Sequence, residues 1–138
     1  VIEHGKRLLL HAGTGPVRAS EHVGVAAFRR LLRRYPGLPA NVPHMGGLEF
    51  QDFLDLLDDH PSLYLDTSYA FMPGTPYRFP LGPETLERHG GRILYGSDFP
   101  NVIHPRESEI RCLTDMNLSP DFYAKVFRDN GLKLLGRA

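Results

Sequence analysis

Two histidines, two aspartates and a serine stand where a repeating chain could use them together. His11 follows the apolar run Leu8-Leu-Leu10, and His44 follows Asn41-Val-Pro43. Asp66, Thr67 and Ser68 follow Leu63-Tyr-Leu65, and Asp98 closes the stretch Ile93-Leu-Tyr-Gly-Ser97. With the polar ends at 11, 44, 68 and 98, the steps between them are 33, 24 and 30 residues, close to one strand–loop–helix–loop unit. Imidazole and carboxylate are the ligand types of a divalent Zn-like ion, and such an ion brings the pKa of a bound water down to about 7. His11, His44 and Asp98 therefore suit a hydrolytic metal site in which Asp98 also takes the proton of the attacking water. Zn is the simplest occupant and Mn the alternative. A Ser–His–Asp nucleophile fits less well, since Ser97 does not lie in a G-x-S-x-G elbow.

Residues so far apart in sequence must be positioned by the elements between them. Strands are predicted over 7–11, 40–44, 63–68 and 92–95, with Pro43 confined to the last position of its strand because it cannot donate to a ladder. Helices separate them, so the chain is predicted to be α/β, with parallel strands joined by right-handed crossovers. Parallel strands end on one side, and ligands of such folds sit outside those ends. The first helix is predicted to be capped by Ser20 and to turn Val23, Ala27, Phe28, Leu31, Leu32 and Tyr35 to the core. Arg29, Arg30, Arg33 and Arg34 then face solvent. The second, over 49–59, carries Phe50, Phe53, Leu54 and Leu57 inward. Further helices are predicted over 83–89, closed by a left-handed cap at Gly90-Gly91, and over 106–116. The last begins at the cap Ser119-Pro120 and turns Phe122, Val126 and Phe127 inward, with a final helical turn from Asn130. His60 and His89 are predicted at the surface. The loop 69–83, with Tyr69, Phe71, Tyr77 and Phe79, is too long and aromatic for a plain linker. It reads as a substrate-side lid or a partner-contact surface.

Composition narrows the partners. The 138 residues fit one domain, 1–138, with a real core. Sixteen basic residues balance sixteen acidic ones, so no global field recruits nucleic acid or an anionic membrane. No apolar run approaches the ~20 residues a membrane span needs. Cys112 is the single cysteine; it reads as a small core residue, and a reducing, cytoplasmic setting follows. Gly13-Thr-Gly15 lacks both G-x-G-x-x-G and the P-loop lysine and reads as a rim loop beside His11. Gly46-Gly47 leaves room for close approach to whatever His44 touches. The chain starts at Val1 and reaches a strand within six residues, as an excerpt of a longer protein would.

The ordered set "LLLHAG", "NVPHMGG", "LYLDTSY", "RILYGSDFP" and "NGLKLLG" resembles the second half of the amidohydrolase-related family of metal-dependent TIM-barrel hydrolases and decarboxylases. The resemblance implies strands 5–8 of a (β/α)8 barrel, with the N-terminal half absent. It implies that His11 is the metal-ligand histidine of the fifth strand. His44 is then the sixth-strand histidine that lies at the metal or polarises substrate, and Asp98 the metal-contacting catalytic aspartate of the eighth. Ser68, Tyr69, Phe71, Phe99 and His104 become the candidate substrate contacts, for a small, carboxylated or cyclic molecule. The family's His-x-His pair is missing, and neither His4 nor His22 replaces it. By that likeness the chain alone should bind metal weakly and be inactive. Its open sheet edges should be covered by a second copy or by the missing half. Two other readings remain: a non-catalytic half-barrel that self-associates, and a small flavodoxin-like domain binding at Gly13–Gly15.

Overall fold

The computed structural model describes residues 1–15, 21–76 and 78–137. It falls into two compact units, Val1–Asp66 and Thr67–Ala138. Ser20, the predicted cap, and Tyr77 of the aromatic loop lie outside the described residues.

In the first unit, strand β1 (Leu8–Leu9), helix α1 (Val25–Arg34), strand β2 (Ala40–Val42), helix α2 (Phe50–Asp59) and strand β3 (Leu63–Asp66) follow in order. The strands are parallel. Leu8 pairs with Ala40 and Leu9 with Asn41; Ala40, Asn41 and Val42 pair with Leu63, Tyr64 and Leu65. Phe28 and Leu32, one turn apart on α1, are buried, as are Phe53, Leu54 and Leu57 of α2 and Val42, Leu63 and Leu65 of the strands. The Phe28 and Phe53 rings lie 5.7 Å apart, an arrangement aromatic pairs favour. The guanidinium of Arg7 donates to the carbonyls of Ala40 and Ser62, each at 2.8 Å, and covers the Tyr64 ring at 4.9 Å. Burial pulls its pKa below the usual arginine value.

The strands are shorter than the sequence suggests. His11 and His44 lie past their strand ends, and His44 opens a tight turn, His44–Gly46. Helix α1 starts at Val25, so Val23 lies outside it, and Tyr35 falls just past its end, 47% exposed rather than buried. Of the arginine face, Arg33 and Arg34 are exposed, whereas Arg29 reaches Asp52 on α2 at 3.3 Å.

In the second unit, helix α3 (Pro83–His89), strand β4 (Ile93–Leu94), helix α4 (Arg106–Thr114), helix α5 (Pro120–Ala124) and helix α6 (Asn130–Leu134) follow. The core gathers Leu86, Ile93, Leu113, Phe122 and Val126. Ser119 caps α5 as predicted, its hydroxyl accepting from the Phe122 N–H at 3.0 Å. Between α5 and α6 the rod widens into a π turn, Lys125–Asp129. There the Val126 carbonyl accepts the Tyr95 N–H at 3.0 Å, as a wide turn that frees a backbone group allows. Three predictions are corrected. Gly90 is right-handed and carries α3 into a short 3-10 turn, Gly90–Arg92. His89 is 5% exposed, hence buried. Phe127 is 40% exposed rather than turned inward. Among the described residues no helix is long and apolar enough to cross a membrane.

Candidate functional site

The first unit brings two of the chemistry-bearing residues together. The loops after β1 and β2 are tied to each other. Thr14 bridges Gly47 in parallel fashion, and the Leu48 N–H donates to the Thr14 carbonyl at 2.9 Å. Contact between the loops leaves no room for side chains. A Cβ on Gly13 would lie 2.1 Å from the Gly46 carbonyl oxygen, and one on Gly47 would lie 2.0 Å from that of Thr14. His44, Met45, Gly46 and Gly47 all have positive φ (59°, 52°, 88° and 66°), a conformation that costs a non-glycine residue about 1 kcal/mol or more. The loops place the imidazoles of His11 and His44 with ring centroids 4.8 Å apart and planes at 60°.

On β2 and β3, the Asn41 amide donates to Asp66 Oδ2 at 2.8 Å, and both residues are buried. Asp66 is thus engaged within the sheet, leaving Ser68, also buried, as the candidate polar end of that segment.

The second unit carries the other candidates. The Thr67 hydroxyl and the Gly96 N–H meet at 3.1 Å, and the Thr67 N–H donates to the Leu94 carbonyl at 2.9 Å. Buried Asn130 donates to the carbonyls of Gly90 at 2.7 Å and Ile93 at 2.8 Å. These bonds fix the strand that delivers Asp98. Asp98 has φ 55°, and its Oδ1 accepts from the Asn101 amide at 3.1 Å. Phe99 projects outward, 59% exposed, under the guanidinium of Arg106 at 5.1 Å. The side chain of His104 is only 5% exposed, with Nε2 3.7 Å from Glu109 Oε2 and its ring 6.2 Å from that of Tyr69. The buried Tyr95 hydroxyl makes no hydrogen bond among the described residues. Burial, and then the charge of Glu109, raise its pKa above the usual phenol value. Phe71 and Phe79, predicted as part of a lid, are buried, with their rings tilted against each other at 5.4 Å. Apolar rings of that size gain more from the core than from an open loop.

Glu49, Thr67 and Asn130 organise these loops through their side chains, a role that none of them shows in the sequence. Asn130 sits in "NGLKLLG", where nothing in the sequence marks its side chain. Glu49 gives no signal in the sequence, because its partners Thr14 and Val25 lie 35 and 24 positions away.

The two imidazoles fit a divalent cation as two nitrogen donors. Among the described residues, no group of three or more histidine, cysteine, aspartate or glutamate side chains could hold a metal ion, so the donor set within either unit is partial.

A family model described as Amidohydrolase matches residues 1–137. No protein of curated function matches the sequence. Among solved structures, an uncharacterised TIM-barrel protein from Bordetella bronchiseptica superposes with a TM-score of 0.75 at 19% identity, covering 98% of this chain and 47% of that one. A 2,6-dihydroxybenzoate decarboxylase, solved with 2,6-dihydroxybenzoate, gives a TM-score of 0.63 at 16% identity, covering 97% and 52%. An amidohydrolase from Burkholderia multivorans, solved with bound zinc, gives 0.56 at 14% identity, covering 81% and 49%. The fold is thus of the TIM-barrel type, and the chain spans about half the length of each of these structures.

Proposed function

This chain belongs to the amidohydrolase family, and from that premise we propose that it supplies the C-terminal half, strands 5–8, of the active-site rim of a metal-dependent hydrolase. The observation that carries the reading is the His11–His44 pair at the ends of adjacent parallel strands, with ring centroids 4.8 Å apart. His11 and His44 would hold a divalent ion, Zn before Mn, together with donors from outside this chain. When bound, the ion would supply Lewis acidity and an acidified water. The chain's own residues do the rest. Asp98 would be the acidic member of that set and would take the proton of the attacking water on its carboxylate. Ser68, Tyr69, Phe99 and His104 flank a small carboxylated or cyclic substrate, and Phe71, buried against Phe79, stands behind that loop. The dihydroxybenzoate in the neighbouring decarboxylase structure is such a molecule. It also favours non-oxidative decarboxylation as the second reaction this rim could serve.

Activity then requires the missing half. Within the first unit, the N–H groups of Leu8 and Leu10 donate to the Pro39 and Asn41 carbonyls. By the alternation of a ladder, the polar groups of Leu9 therefore face away from β2. Leu9 itself is 67% exposed. That edge suits either an upstream strand or a second copy. The decisive measurement is metal content and turnover of the intact protein. Bound zinc or manganese, lost in His11→Ala, together with turnover reduced at least about 100-fold in Asp98→Ala, supports the proposal. A metal-free protein whose turnover ignores Asp98→Ala overturns it. Light scattering on the 138-residue chain separates the alternative of a self-associating, non-catalytic half-barrel: a stable monomer removes that reading.

A further inference from the structure

Glu49 precedes α2, yet its carboxylate does not cap that helix. Oε2 accepts the Thr14 N–H at 3.1 Å, and both oxygens accept the Val25 N–H, at 3.1 and 3.2 Å. Val25 is the first residue of α1, and the position before it is Gly24, which has no side chain to cap with. Glu49 is therefore the cap of α1, delivered from 24 positions away, and its charge stands where the helix dipole favours an anion.

The same carboxylate holds Thr14, three residues beyond His11. Gly24 donates to the Ala12 carbonyl at 2.7 Å, drawing the start of α1 onto the loop. A Cβ on Gly24 would sit 3.3 Å from each Glu49 oxygen and 3.4 Å from Thr14 Cγ2. The loop bearing His11, the start of α1 and the segment following His44 thus meet at one carboxylate.

We infer that Glu49 is a positioning residue, which fixes the His11 and His44 imidazoles relative to each other by tying the Thr14 loop to the N-terminus of α1. The inference rests on the reading of that pair as metal donors for its functional meaning, but the geometric claim stands without it. Glutamine at position 49 keeps the shape and loses the charge. It leaves one oxygen for three N–H···O contacts and turns an NH2 toward backbone donors. A ligand pair held by a supporting residue loses about 10- to 100-fold in metal affinity when that support is removed.

The experiment compares wild type, Glu49→Gln and Glu49→Asp in the full chain by two readouts. The first is metal-free: proton NMR contacts between the two imidazole rings, with amide exchange at Leu32 and Phe53 as the measure of an intact core. The second is Co2+ titration followed by its visible absorption. Glu49→Gln should erase the ring-to-ring contacts and weaken Co2+ binding about tenfold or more while core exchange holds. Glu49→Asp, which keeps the charge one methylene shorter, should fall between. If Glu49→Gln does not fold, Glu49→Asp decides alone: loosened ring contacts sustain the inference and unchanged ones overturn it. Ring contacts and Co2+ affinity unchanged within twofold in a folded Glu49→Gln also overturn it. Should wild type take up no Co2+ while Glu49→Gln still loses the ring contacts, the metal reading fails and the positioning role of Glu49 stands.

Discussion

The histidine loops of the first unit and the aspartate strand of the second are held by different means. Around His11 and His44, backbone presses on backbone: Gly13 on the Gly46 carbonyl and Gly47 on that of Thr14. Around the approach to Asp98, side chains reach over to backbone: Thr67 to Gly96, and Asn130 to Gly90 and Ile93. A backbone contact leaves no space and forbids added volume. A side-chain bond tolerates extra volume nearby but fails when its donor is removed. Added volume should therefore damage the first region most, where the Glu49 carboxylate is the side chain that ties the loops, and loss of a donor should damage the second.

The largest effect is expected at Gly46. A Cβ there would lie 2.3–2.6 Å from atoms of the Phe53 side chain, at a φ of +88°. Overpacking and backbone strain each cost about 1–3 kcal/mol, so Gly46→Ala should lose about 2–5 kcal/mol in urea unfolding. It should also disturb the His44 turn. A loss under about 1 kcal/mol would mean that the turn yields, and the contrast would fail. Asn130→Ala comes next. It strands two buried carbonyls, each worth about 1 kcal/mol or more, and should cost about 2–3 kcal/mol while leaving the His11–His44 ring contact intact. If that contact is lost as well, the two regions are not independently held. Gly131→Ala is the smallest test and has the opposite sign. Its Cβ would meet nothing within 4 Å, and the position lies within α6. Alanine there should stabilise by about 0.5–1 kcal/mol, measurable as a raised urea midpoint. A glycine substitution that destabilised here as at Gly46 would remove the distinction.

The same division explains what could be read from the residues. The alternation of strands and helices was legible, because apolar runs of three or four and stripes such as Phe28/Leu32 and Phe53/Leu57 carry their periodicity openly. His11 and His44 were legible as candidates because they follow such runs. Their contact was not, since it depends on Gly13 meeting Gly46 across 33 positions, and spacing gives no sign of that. The role of Glu49 at the start of α1 was not legible for a related reason. Local rules seek a serine or aspartate just before a helix, and the group that serves comes from the next βα unit. Phe71 misled because an aromatic residue in a long loop looks the same in sequence whether it lies open or packs against Phe79. Asn130 is ordinary in sequence and becomes structural only because the strand before Asp98 exposes two carbonyls to it.

Asn130 is followed by Gly131, the neighbour least able to shield an asparagine side chain from attack by the next backbone nitrogen. That attack releases ammonia and closes a cyclic imide, which water then opens to leave a carboxylate. Here it would turn an amide that gives two hydrogens to Gly90 and Ile93 into an anion facing two carbonyl oxygens. The hydrogen bonds that hold this amide also keep it from swinging toward its attacker. Slow chemical ageing of the protein should therefore begin in whichever molecules have let α6 fray, and the strand leading to Asp98 would be the first to lose its anchor.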